Sequence, residues 1–169
     1  MAGQERAEGK RRSRRWLWAL IPTAVIAADQ VTKAFAVRLT EPLSLIPGLL
    51  TLRYTLNTGI SFGWLDGNGF ALGFLSIALL ALGYLAVRRF RLGGVSRTGA
   101  LLILGGGLSN AADRLLRGVV VDMIQAVSEQ FAVFNVADMA VCIGAGLITL
   151  SLLLFPDDWQ MEEKNGKDE

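Results

Sequence analysis

Four apolar segments, each about long enough to cross a bilayer, dominate this chain of 169 residues. They run from about Trp16 to Val37, Phe70 to Val87, Thr98 to Leu116 and Val136 to Phe155. A helix needs ~20 mostly apolar residues to cross ~30 Å of hydrocarbon, where lipid offers no partner for backbone polar groups. Any one segment could be the core helix of a soluble domain. Four of them leave too little polar chain to cover so much apolar surface. Only 19% of the residues are charged, against ~25% in soluble domains. The first segment follows a basic run, Lys10-Arg11-Arg12-Ser13-Arg14-Arg15, as a signal peptide would. Asp29 and Lys33 interrupt it and no small-residue cleavage site follows, so it reads as a retained span.

Basic residues orient the spans, since cytoplasmic connections collect Lys and Arg. Six precede Trp16 (Arg6, Lys10, Arg11, Arg12, Arg14 and Arg15), and Arg88, Arg89, Arg91 and Arg97 fill the second connection. Residues 39–69 hold only Arg53 and residues 118–135 none. Both termini and the 88–97 loop are therefore expected in the cytoplasm, with the other two connections outside. The expected fold is a membrane all-α bundle of four transmembrane helices with a small β element. Residues 1–15 form a basic cytoplasmic arm, 16–155 the membrane domain, and 156–169 a charged tail, low in apolar residues, expected to be disordered.

The outer connections carry signals of their own. Residues 43–56 partly alternate around Pro47-Gly48, which predicts a small extracytoplasmic hairpin or sheet. The stretch from Val119 to Phe134 is apolar with few charges and reads as an interfacial amphipathic helix or lid.

The polar residues of the spans converge on one depth. Asp29 and Lys33, four apart, share a face in the outer half of the first span. Asn110, Asp113 and Arg114 end the third span on the outer side, and Asn135 and Asp138 begin the fourth. Asp122 lies between those last two spans. An ionised side chain in hydrocarbon costs roughly 2.5–3.5 kcal/mol on insertion scales, so a chain that keeps several together uses them. Two carboxylates on one cleft can activate water without a metal. Histidine is absent, which removes Ser-His-Asp and Cys-His hydrolases and HExxH zinc proteases. The single Cys142 permits no disulfide and no CxxC site. No metal or organic cofactor is expected.

Each polar residue also has a structural reading. Asp113 and Arg114 could form an ion pair that fixes helix packing, and Lys33 could snorkel to the headgroups. Asn135 could cap the fourth helix, whose dipole favours Asp138 in its first turn. Gly105-Gly106-Gly107 reads as close helix packing rather than a phosphate cradle, since no P-loop lysine follows. Only the whole set outweighs these readings.

Five ordered elements make that set specific: Asp29-Gln-Val-Thr-Lys33, Asn57-Thr-Gly59-Ile-Ser-Phe62, Gly105-Gly106 through Asn110-Ala-Ala-Asp113-Arg114, Gly118-Val-Val-Val-Asp122 and Phe134-Asn135-Val-Ala137-Asp138. From about Asp29 to Phe155 the chain resembles the lipoprotein signal peptidases (signal peptidase II), bacterial membrane aspartic proteases. The resemblance implies that Asp122 and Asp138 are the catalytic pair. Asn57, Gly59, Asn110, Asp113, Arg114 and Asn135 bind or position substrate, and Asp29 and Lys33 give structural support. The implied reaction cuts signal peptides from diacylglyceryl-modified prolipoproteins just before the lipidated Cys, in the cytoplasmic (inner) membrane near its outer leaflet. The implied partners are those substrates and membrane lipid, with no nucleic acid, and the enzyme is expected to be a monomer. Ser109 stands where the family usually has Gly, and Met123 where an aromatic usually follows the catalytic Asp. Two rivals make different predictions. A transporter would spread polar residues through the full depth, whereas the inner halves here are apolar. A structural subunit would pair its charges with a partner's spans and show no activity alone.

Overall fold

The computed structural model describes residues 15–59, 67–127 and 132–161. Four helices fall where the apolar segments predict them: α1 (Leu20–Ala36), α2 (Gly69–Val87), α3 (Gly94–Arg117) and α4 (Val136–Leu154). A short 3-10 turn, Arg15–Ala19, leads into α1. Two of the four, α2 and α4, are long and apolar enough on their own to cross a membrane. The other two carry the polar residues: α1 is 17 residues long and buries Asp29 and Lys33, and α3 buries Ser109, Asn110 and Asp113.

Helix α3 is the centre of the bundle, and its three consecutive glycines show why. A Cβ on Gly105 would lie 2.9 Å from Pro22 Cα of α1, and one on Gly107 would lie 2.8 Å from the Leu80 side chain of α2. One on Gly106 would overlap the Ala137 carbonyl oxygen of α4. Successive residues on a helix point about 100° apart, so three glycines in a row open three faces to three neighbours. Close packing is what the sequence led us to expect of this run. Lower on the same helix, Gly99 and Gly144 of α4 face each other in the same way. Helix α3 ends at Gly118, which adopts φ +72° and donates its N–H to the Arg114 carbonyl at 2.9 Å.

The expected hairpin is present. Strands β1 (Leu43–Ile46) and β2 (Leu50–Asn57) pair antiparallel around Gly48, which has φ +72°. The expected interfacial helix or lid over 119–134 is not what forms. Val120–Ala126 is strand β4, antiparallel to β2 in a sheet ordered β1-β2-β4. The cause is burial: Val120 through Met123 are all buried, so the strand, apolar apart from Asp122 and Gln125, lacks the alternation of a half-exposed strand. Residues 128–131 lie outside the described residues, and Phe134 then bridges back to Ile124. Ala36 at the end of α1 packs with Val121 and Met123, so the sheet rests on the helix bundle.

The tail also departs from expectation, being ordered as far as Met161. Strand β5 (Trp159–Met161) pairs antiparallel with β3 (Phe90–Leu92), inside the connection read as a plain basic loop. Trp159 meets Phe90 edge to face at 5.8 Å and donates its Nε1–H to Ser151 Oγ at 3.0 Å. Asp158 Oδ2 accepts the Ser96 N–H at 2.9 Å and so caps α3 from a distance. A few apolar residues anchor a segment whose charge alone suggested disorder. The basic arm before Arg15 and residues 162–169 lie outside the described residues.

Candidate active site

Asp122 lies on β4 directly across from Thr55 of β2, with Asn57 on the diagonal. That register brings Asn57 Nδ2 to 2.9 Å from Asp122 Oδ2. The Asn57 amide cannot turn freely, because its Oδ1 accepts the Gly59 N–H at 3.1 Å. Asp138 is the third residue of α4, and Asn135 is its N-cap. The two form a reciprocal capping box: Asn135 Oδ1 accepts the Asp138 N–H at 2.9 Å, and Asp138 Oδ2 accepts the Asn135 N–H at 3.1 Å. This fixes the Asn135 amide, whose Nδ2 donates to Asp122 Oδ1 at 2.7 Å. One residue is therefore bonded to both carboxylates. The capping reading of Asn135 holds, and the same side chain reaches Asp122.

A buried charge cluster stands behind the pair. Lys33 Nζ contacts Asp29 Oδ2 and Asp113 Oδ2, each at 2.6 Å. It also donates to Asn110 Oδ1 at 2.9 Å. With its Oδ1 facing an ammonium, Asn110 must present Nδ2 on the other side, where it donates to Asp138 Oδ1 at 2.7 Å. Lys33 is only 1% exposed, so it does not snorkel; an ion paired twice and hydrogen-bonded once can stay at depth. Asp113 pairs with Lys33 and, at 3.4 Å, with Arg117 rather than with Arg114. Arg114 reaches the other way, its Nη2 donating to the Gly59 carbonyl at 3.3 Å. Asp29 also accepts the Ala137 N–H at 2.9 Å and so ties α1 to the first turn of α4.

Every residue singled out by the sequence thus belongs to one connected network drawn from β2, β4, α1, α3 and α4. Ser109, Gln30 and Arg117 join it without having been foreseen. Ser109, the position that departs from the usual Gly, donates to Asp29 Oδ2 at 2.7 Å, a bond that Gly could not make. Gln30 donates to both Ser109 Oγ and Asp113 Oδ1, each at 3.1 Å. Thr55 pairs with Asp122 across the strands, and its Oγ1 is buried without a hydrogen-bond partner among the described residues, as is Arg114 Nε. The spacing of Gln30 from Asp29 gave no signal, because its partners come from another helix. Met123, the other departure, is buried with Ala36 and Val121.

Burial is the main reason the Asp122 carboxyl is pushed up to about 6. The Asn57 hydrogen bond opposes the shift, the nearby Asp138 carboxylate adds to it, and the Asn135 hydrogen bond again opposes it.

A helix bundle with a small antiparallel sheet, holding two carboxylates between side-chain amides above a buried ion cluster, defines a class of membrane enzyme. Residues 21–154 match the family model described as signal peptidase (SPase) II. The chain belongs to the signal peptidase II family. It is 39% identical over 154 residues to a lipoprotein signal peptidase of Klebsiella aerogenes, covering 85% of this chain and 92% of that protein. It is 37% identical over 141 residues to one of Syntrophotalea carbinolica, covering 78% and 88%. Among solved structures it superposes on a bacterial membrane enzyme determined in meso at 2.3 Å resolution. There the TM-score is 0.75 at 28% identity, covering 92% of this chain and 94% of that one.

Proposed function

We propose that the chain removes signal peptides from diacylglyceryl-modified prolipoproteins as an aspartic endopeptidase, with Asp122 and Asp138 as the catalytic pair. The observation that carries this reading is Asn135, which hydrogen-bonds both carboxylates and ties them to one helix start. Two neighbouring carboxylates do not ionise together easily, so they share a proton and titrate as a pair. The ionised member takes a proton from water, whose oxygen attacks the scissile carbonyl carbon. The protonated member donates to the carbonyl oxygen as it gains charge, and the departing amine then receives a proton from the pair. Asn57, Asn110 and Asn135 hold the carboxylates in place. Arg114 anchors the Gly59 backbone beside the site.

The same reading places four spans across the bacterial cytoplasmic membrane, with both termini inside and the sheet at the outer face, in a monomer. Leu43, Leu45, Ile46 and Leu49 are about half exposed on the β1 hairpin. They fit a sheet lying on the lipid, where a substrate can keep its acyl chains in the bilayer. The test uses the purified chain in detergent with a diacylglyceryl-modified prolipoprotein. Asp122→Asn and Asp138→Asn should each lower kcat by about 10³-fold or more with normal insertion, and the double variant should lose little beyond that. Near-normal cleavage by either single variant rejects the pair.

A further inference from the structure

Helices α2 and α3 touch along one half of their length and part along the other. At the sheet end a Cβ on Gly69 would overlap the Gly118 carbonyl, and midway Leu80 presses on Gly107. Beyond Leu80 the contact stops, and a Cβ on Gly83 would meet nothing within 4 Å. The resulting wedge holds a cavity of about 860 Å³ at the end away from the candidate active site. Its walls include Leu79, Tyr84, Leu101, Leu104 and Ile148. Arg88, Arg91 and Arg97 line it at the 88–97 end, and among the described residues no acidic side chain does.

We infer that this wedge seats one anionic phospholipid of the cytoplasmic leaflet, an acyl chain between α2 and α3 and the phosphate among the three arginines. The inference rests on the orientation proposed above, which puts the 88–97 connection in the cytoplasm. Two observations carry it. The wedge opens beside a flank of α2 whose Leu79, Leu82, Tyr84 and Leu85 are all exposed, so its occupant comes from the bilayer side. Among the described residues that line it, the charged side chains are all arginines, which suits a phosphate at headgroup depth. Arg97 is already held in place, its Nη2 donating to the Leu92 carbonyl at 2.6 Å and its plane lying 5.1 Å over the Trp18 ring. A fixed guanidinium fork loses little entropy on meeting a phosphate. The cavity volume falls within the ~300–1,000 Å³ usual for ligand sites.

The test is native mass spectrometry of the full chain released from nanodiscs of equal parts phosphatidylcholine and phosphatidylglycerol, with Tm recorded for every variant. One phosphatidylglycerol should stay bound in preference to phosphatidylcholine. Arg88→Gln should reduce that preference about fivefold, which corresponds to roughly 1 kcal/mol for one basic residue near a charged leaflet. Gly83→Phe fills the wedge while leaving every arginine in place, and should abolish retention. Equal retention of the two lipids overturns the inference. Full retention by Gly83→Phe does so too, because the arginines would then be acting as a surface patch. The Asp122→Asn variant, expected to be inactive, should keep the lipid, so loss of the lipid site and loss of the peptidase reading give different results.

Discussion

At the scale of single residues, the arrangement works by fixing amides that could otherwise turn. Asn57 and Asn110 spend their oxygen on Gly59 and Lys33, Asn135 spends its own on the Asp138 backbone N–H, and all three aim their nitrogen at Asp122 or Asp138. Lys33 is the least replaceable of the supporting groups. Lys33→Met would leave Asp29 and Asp113 buried without their shared ammonium, and Asn110 Oδ1 with the Asn135 amide as its remaining donor. Breaking a buried pair in this way costs about 3–5 kcal/mol, so folded yield by size exclusion should collapse. A Lys33→Met protein that folds normally but does not cleave would instead place Lys33 in the chemistry. The raised Asp122 carboxyl gives a second prediction at this scale. Between its usual value of 3.8 and about 6 the folded state holds a proton that the unfolded state has released. Stability therefore falls as pH rises through that window, and the loss is complete above it. Asp122→Asn does not titrate, and its amide mismatch is independent of pH. The Tm of the variant minus that of the parent should rise from pH 4 to pH 7. A flat difference would mean that Asp122 is not held protonated by the fold.

At the scale of elements, the helices were legible because their period and length leave little choice, and β1 and β2 because Pro47-Gly48 marks their turn. Strand β4 was not legible. Its residues are buried on both faces, and an apolar run without alternation cannot be told from a membrane-surface helix by pattern. The tail was misread for a similar reason, since composition reports charge and misses the partner strand that Phe90–Leu92 provides. Its docking has a measurable consequence. The N-cap of helix α3 is Gly93, which has no side chain to cap it, and Asp158 supplies the missing acceptor to the Ser96 N–H from 62 residues further along the chain. A Cβ on Gly93 would overlap the Asp158 side chain, so the glycine is what admits this cap. Asp158→Ala should cost about 1 kcal/mol, as loss of an N-cap does, and lower the Tm by several degrees. Cleavage per folded molecule should not change, because Asp158 sits at the opposite end of α3 from Asn110. A parallel fall in kcat would show that the tail communicates with the site.

At the scale of the whole molecule, the polar residues that interrupt the apolar runs of α1 and α3 are the ones that join them. Asp29, Gln30 and Lys33 of α1 find Ser109, Asn110 and Asp113 of α3, so Asp29, Lys33 and Asp113 are all buried once the bundle closes. The sequence displayed the polar set and its common depth, but the pairing had to come from the fold, because it depends on how α1 rotates against α3. Insertion direction then decides whether the site faces its substrate. Ten Lys or Arg lie before Trp16 or within 88–97, against Arg53 alone in residues 39–69 and 118–135. A reporter joined after Glu169 should be cytoplasmic, whereas one inserted at Gly67 or Glu129 should be exported. The Glu129 site is the decisive one, because it follows the strand that carries Asp122 and precedes the helix that carries Asp138. If that reporter is cytoplasmic, the carboxylates face the compartment the substrate has already left. The peptidase reading then fails, and a transport role for the buried charges becomes the better account.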